Sequence, residues 1–137
     1  MNKGFTLIEM LVVIIILALV STLSYTGITA FNRNIKKNMW EEKTTIIEKA
    51  AVDFGTDNKN ILVGSCTIDG KTVNNCKKVT VQELINKGYL NTKETDEDGN
   101  KVITNDTIEY GEDGYYANTM NVNVYLKNNV VYAKLVN

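Results

Sequence analysis

The 137-residue chain has no histidine and no proline. The first absence removes the commonest general base and the commonest metal-binding side chain. The second excludes a stiff proline-rich linker and proline-kinked helices. Cysteine is scarce: Cys66 and Cys76 are the whole supply, and no second cysteine pair or histidine supports a zinc site. Neither sign of charge dominates, because 15 basic and 16 acidic residues leave a net charge of -1. That balance exerts no overall pull toward nucleic acid or anionic lipid. Glycine-rich phosphate loops, internal repeats and low-complexity tracts are also missing, and no serine or cysteine can be matched with a histidine base. The expectation is a chain without enzyme activity, cofactor or bound metal. Its length suits one modest domain with an appendage.

What the chain has instead is a long oily run. Residues 5–31 carry a single formal charge, Glu9. The stretch exceeds the ~20 residues that span a bilayer as a helix. It is densest over residues 10–20 and then turns milder at Ser21, Thr22, Ser24, Thr26 and Gly27. Hydroxyls there remain tolerable in lipid because they bond back to their own helix. A secretory signal peptide would have a shorter core and a small-residue cleavage site, and residues 21–24 match such a site poorly. A plain single-pass anchor is the simpler competitor.

Glu9 argues for more than an anchor. An acid inside a membrane segment marks a functional site and calls for a partner. An aspartate at the centre of a spanning helix costs ~2.5–3.5 kcal/mol, and a position near the end costs less. No lysine or arginine inside the run can meet Glu9. A free α-amine on another copy of the chain can. Cleavage between Gly4 and Phe5 would create that amine on Phe5. A neighbour displaced by about one helical turn, ~5.4 Å, would set amine against carboxylate. A repeated head-to-tail offset that never closes builds a helical filament.

The segment KGFTLIEMLVVIIIL, residues 3–17, resembles the class III signal of type IV prepilins and related pseudopilins. The resemblance covers about the first 50 residues. In that family a membrane aspartic peptidase removes a short basic leader ending in glycine and methylates the new N-terminal residue. A glutamate at the fifth mature position serves assembly. The resemblance implies that Gly4 ends the leader, Phe5 is the methylated N-terminus and Glu9 is the assembly glutamate. Implied partners are copies of the chain and other pilins, the prepilin peptidase, the cytoplasmic membrane and the assembly platform. It also implies a cytoplasmic leader with the C-terminal domain outside. The charge flanks point the other way: Lys3 precedes the run while Arg33, Lys36 and Lys37 follow it, which by the positive-inside rule favours the C-terminal side inside. The motif carries more constraints than three basic residues, and we follow it.

Past the run the pattern turns amphipathic. Ile28, Phe31, Ile35, Met39, Ile46, Ala50 and Phe54 recur largely at helical spacing, with Ile47 and Ala51 widening the stripe. Trp40 is expected to pack. The spacing predicts one helix over residues 5–54, stopping at Gly55 and roughly 75 Å long. Its parts read as a leader at 1–4, a membrane and filament-core segment at 5–27 and an amphipathic half at 28–54. A globular domain at 55–137 would cover that half.

Within the globular domain, Asp69-Gly70 is a hairpin signal. Cys66 and Cys76 flank it and are placed to close a small loop by a disulfide worth ~2–3 kcal/mol; free thiols would hold if the domain were cytosolic. Thr80 and Glu83 form a capping box over a short helix, 80–88, with Val81, Leu84 and Ile85 inward and Gly88 as its stop. The segment resembles a short helix between the long helix and the sheet of some Gram-positive pilins and pseudopilins. Residues 94–114 then hold eight acids and one lysine. Glu94, Asp96 and Asp98 alternate like the start of an EF-hand, but Asn105 stands where the closing glutamate belongs. Some pseudopilins bind calcium in such loops; we read this one as a solvated loop of Asp-Gly turns. Residues 120–126 and 130–136 alternate as strands around Asn128-Asn129. With 107–110 and 115–117 they predict an antiparallel sheet of three or four strands. Beyond Gly55, nine lysines face eleven acids, a poor footprint for nucleic acid. The expectation is an α+β, type IV pilin-like fold forming a structural filament subunit. A pseudopilin of a secretion or DNA-uptake system and a non-polymerising membrane-anchored binding domain are the alternatives.

Overall fold

Helix α1 (Leu7–Asp57) opens the fold described by a computed structural model, which covers residues 6–136 and, of these, all side chains except those of residues 23–26. The predicted start at Phe5 lies outside the described residues. Two compact units divide the chain, Met1–Lys36 and Lys37–Asn137. In the first, every described residue is helical after Thr6, and its large apolar side chains are exposed, among them Leu11, Ile16, Ile28 and Phe31. An 18-residue window of α1 reaches a mean hydropathy of 2.6 with none of it buried, so the helix is long and apolar enough to cross a membrane. Ser21 and Thr22 return their hydroxyls to the carbonyls of Leu17 and Leu19, at 2.7 and 2.8 Å.

In the second unit α1 packs on a four-stranded antiparallel sheet. The strands are β1 (Gly64–Ile68), β2 (Lys71–Thr80), β3 (Asn121–Lys127) and β4 (Val130–Val136), adjacent in chain order. Asp69 and Gly70, both at positive φ, form the tight turn between β1 and β2. Asn128 and Asn129 do the same between β3 and β4; two residues at positive φ match the twist of the strands they join. Register places Val122 opposite Leu135, Val124 opposite Ala133 and Leu126 opposite Val131. These form the inner face, with Val79 from β2. Val130, Tyr132, Lys134 and Val136 share the outer face, as their alternation predicts.

The core joins Ile47, Ala50, Ala51 and Phe54 of α1 to Val79, Val122, Val124 and Val131. Trp40 packs against it, partly buried. Two expectations about this helix need correction. Its apolar stripe is not covered throughout: Met39 and Ile46 remain exposed while Ile47 is fully buried. The sheet meets one narrow face of the helix, and Ile46 and Ile47 point about 100° apart on a 3.6-residue repeat. The stop also falls later than Gly55. A Cβ on Gly55 would come within 2.4 Å of Val124 Cγ1 and 2.8 Å of Val131 Cγ1. This glycine therefore serves close helix-to-sheet approach rather than termination, and the chain leaves the helix at Asn58, whose amide Nδ2 donates to the Phe54 carbonyl at 2.8 Å.

Helix α2 (Val81–Asn86) follows β2 directly. Thr80 accepts the Glu83 backbone N–H at 3.1 Å, and Val81, Leu84 and Ile85 are buried. The sheet's membership differs from expectation. Residues 107–110 and 115–117 are not strands; they lie among turns and a short 3-10 turn, Ala117–Thr119, with a lone bridge between Thr104 and Tyr116. The reason is local: the Asn105 side chain accepts the Thr107 N–H at 3.1 Å and the Asn105 carbonyl accepts the Ile108 N–H at 3.1 Å, which folds the segment into a turn. The other two strands flank the Asp69-Gly70 turn.

Candidate functional site

Thr6 and Glu9 build the first turn of α1. The Glu9 carboxylate Oε2 accepts both the Thr6 backbone N–H and the Thr6 hydroxyl, each at 2.9 Å. The Glu9 N–H in turn approaches Thr6 Oγ1 at 3.4 Å. This is a capping box: the N-cap hydroxyl and the glutamate three residues on satisfy each other's orphan donors at the start of a helix. A carboxylate also suits the positive end of the helix dipole. Thr6-x-x-Glu9 is the sequence signal, the same one that marks Thr80 and Glu83. Beside Glu9, the side chains of Ile8, Val12 and Val13 line a shallow apolar hollow of about 370 Å³. Glu9 thus stands as an acid with its own short-range partner in an otherwise uncharged run, residues 5–31. Gly4 and Phe5 lie outside the described residues.

Residues 1–25 match the family of the prokaryotic N-terminal methylation motif. This motif is the class III signal of type IV pilins. It supports a type IV pilin-like protein of the prepilin-processed kind. Glu9, Thr6 and the apolar hollow all fall within the matched stretch. Searches of curated proteins and of solved structures found no match to the chain.

The remaining sequence candidates lie in the second unit. Cys66 and Cys76 are joined, with Cα atoms 5.7 Å apart, and both are buried. The bond ties β1 to β2 where the register shifts between Gly64 and Ser65. Close by, the side-chain N–H of Asn123 donates to the Thr67 carbonyl at 3.2 Å, holding the hairpin to β3.

The acidic segment is organised by a lysine that sequence reasoning did not single out. Lys43 Nζ, on α1, lies 2.7 Å from Glu94 Oε1 and 2.8 Å from Asp106 Oδ2. It also donates to the Thr104 carbonyl at 3.1 Å and hydroxyl at 2.8 Å. Burial pushes the Lys43 ammonium down, but Asp106 and Glu94 outweigh it and hold the group above the ordinary lysine value. Burial likewise raises Glu94, yet Lys43 together with the N–H and O–H of Thr104 brings it below the ordinary carboxylate value. Asp96, the second acid of the alternation, is held low by the side chain and backbone N–H of Asn100 and accepts from the Asp98 backbone as well. Glu94 and Asp96 therefore serve separate partners. Among the described residues, no group of three or more acids or cysteines is placed to hold a metal ion. The staple could be found in sequence only by knowing that Lys43 faces the domain, which is a tertiary fact.

Proposed function

We propose that this chain is a structural subunit of a type IV pilus-like filament. The precursor sits as a single-pass protein in the cytoplasmic membrane with its C-terminal domain outside. Prepilin peptidase removes residues 1–4 and methylates Phe5. The assembly platform then adds the chain to a fibre of its own copies and other pilins. Enzyme activity and nucleic-acid binding have no part in this reading. The observation that carries it is the methylation motif over residues 1–25, with Glu9 as the lone charge of the apolar run at 5–31. In the fibre, Glu9 trades its Thr6 contacts for the Phe5 amine of a neighbour, and Phe31, Ile35, Met39 and Ile46 pack against adjacent helices. The Cys66–Cys76 bond supports the outside location, since disulfides persist in oxidising compartments.

Surface fibres sheared from cells and analysed by mass spectrometry test the proposal. Long fibres containing this chain with a methylated Phe5 terminus are expected. Cleavage without extended fibres would favour a pseudopilin, and an uncleaved chain would reduce the protein to an anchored domain. Glu9→Ala should be processed normally, since the cut lies ahead of it, yet fail to enter fibres; normal fibre yield from this variant would remove the register role.

A further inference from the structure

Three tyrosines stand together outside the core, in the loop 110–116. The rings of Tyr110 and Tyr115 meet edge to face, 5.2 Å between centroids at 90°, and those of Tyr115 and Tyr116 lie 5.0 Å apart at 65°. None belongs to the hydrophobic core or packs against it. Tyr110 is 63% exposed although its ring meets that of Tyr115. Perpendicular rings create a corner in which two π faces can be presented to one guest. The loop's cavity measures about 360 Å³ and is lined by the three tyrosines with Glu112 and Asp113. Its lining contains no lysine or arginine. Tyr110 donates its hydroxyl to Glu97, which fixes a further carboxylate beside the ring.

We infer that this loop is a recognition site for a quaternary ammonium group, the cation of choline-like molecules. Aromatic faces attract such cations through the ring quadrupole. Methylated ammonium donates no N–H hydrogen bonds, so rings suit it better than bare carboxylates do, and the surrounding acids supply long-range attraction. The site is preorganised. The Asn105 N–H donates to the Tyr115 carbonyl at 2.6 Å, and the Ala117 N–H donates to the Ile103 carbonyl at 2.8 Å, pinning the loop's exit before any ligand arrives. A prebuilt corner avoids the ordering cost of closing around a guest. The same acids disfavour an attached phosphate, so the site ranks choline and tetramethylammonium above phosphocholine. This inference does not depend on the filament reading.

The test uses the full chain in maltoside micelles with isotope-labelled tyrosine, followed by NMR. Tetramethylammonium and choline should shift the Tyr110, Tyr115 and Tyr116 ring signals saturably. The stacked pair Tyr125 and Tyr132, on the sheet, should stay still. The neutral isostere 3,3-dimethylbutanol should bind about tenfold more weakly, and phosphocholine should fall between. Vesicles of phosphatidylcholine distinguish a lipid headgroup from the free cation: shifts with choline alone assign the free species, and shifts with both extend the assignment to the headgroup. Tyr110→Leu should abolish the response with the Tyr125 and Tyr132 signals unchanged. Should that variant unfold, Glu97→Gln serves instead and should weaken binding severalfold. No response to either cation, or an equal response to the neutral isostere, would overturn the inference.

Discussion

The Leu135 backbone N–H donates to the side chain of Glu48, Oε1 at 3.0 Å, joining the edge strand to the helix. β4 is an edge of the sheet, and an edge leaves alternate backbone groups without a strand partner. Glu48 takes one of them. Glu48→Ala should lower the stability of the folded domain by about 1 kcal/mol, the scale of a hydrogen bond to a charged group at a partly open site. Glu48→Gln should recover most of it. Urea unfolding followed by Trp40, the single tryptophan, measures both.

Gly55 offers a sharper test of packing. Alanine there would gain about 1 kcal/mol of helix propensity. Against this stands a Cβ forced to within 2.4 Å of Val124 Cγ1, and overpacking a core costs ~1–3 kcal/mol. The expected net effect of Gly55→Ala is destabilisation. Pairing it with Val124→Ala should cost less than the two single losses added together, because the second change removes the clash. Strict additivity would mean that the close approach is not what selects glycine.

The Lys43 staple makes stability depend on pH at both ends. Glu94 is lowered in the fold, so its contribution is present above the ordinary carboxylate value of 4.5 and fades as pH falls through the lower folded value. Lys43 is raised, so its share is present below the ordinary 10.5 and fades as pH climbs through the higher folded value. Lys43→Met strands two carboxylates and should destabilise by about 1–3 kcal/mol at neutral pH. The gap between wild type and variant should narrow in acid and in strong base. Thermal unfolding across pH reads the gap directly.

Tyr110 should ionise late. Its hydrogen bond to Glu97, then the charge of that carboxylate, pushes the phenol from 10.0 up to about 12. The bond's contribution is therefore present below the ordinary value and lost as pH rises through about 12. Tyrosinate absorbance should show Tyr110 titrating late in the wild type, with Tyr116, raised first by burial, also above the ordinary range. Glu97→Gln should return Tyr110 toward the ordinary tyrosine range.

Much of this fold was legible before any coordinates. Asp69-Gly70, Asn128-Asn129 and the Thr80-to-Glu83 box are short-range devices. Each is decided by residues two or three positions apart, and each appears where local chemistry puts it. Residues 107–110 and 115–117 read as strands in the sequence yet are not, because the turn that Asn105 builds with Thr107 and Ile108 competes with extension. At the N-terminus the charge, the oily run and the Thr6 partner of Glu9 are all local signals, three residues apart at most in the last case.

By itself, the amino-acid order determined the apolar helix, the solitary Glu9, the turns and the short capped helix, because each depends on neighbours along one stretch of backbone. Only the tertiary structure decided that Gly55 admits Val124 rather than ending the helix, and that Lys43 gathers Glu94, Thr104 and Asp106. It also decided that Ile47 is buried while Ile46 is left bare. Those outcomes depend on which face of the helix the sheet covers, and that is settled by packing between segments far apart in sequence.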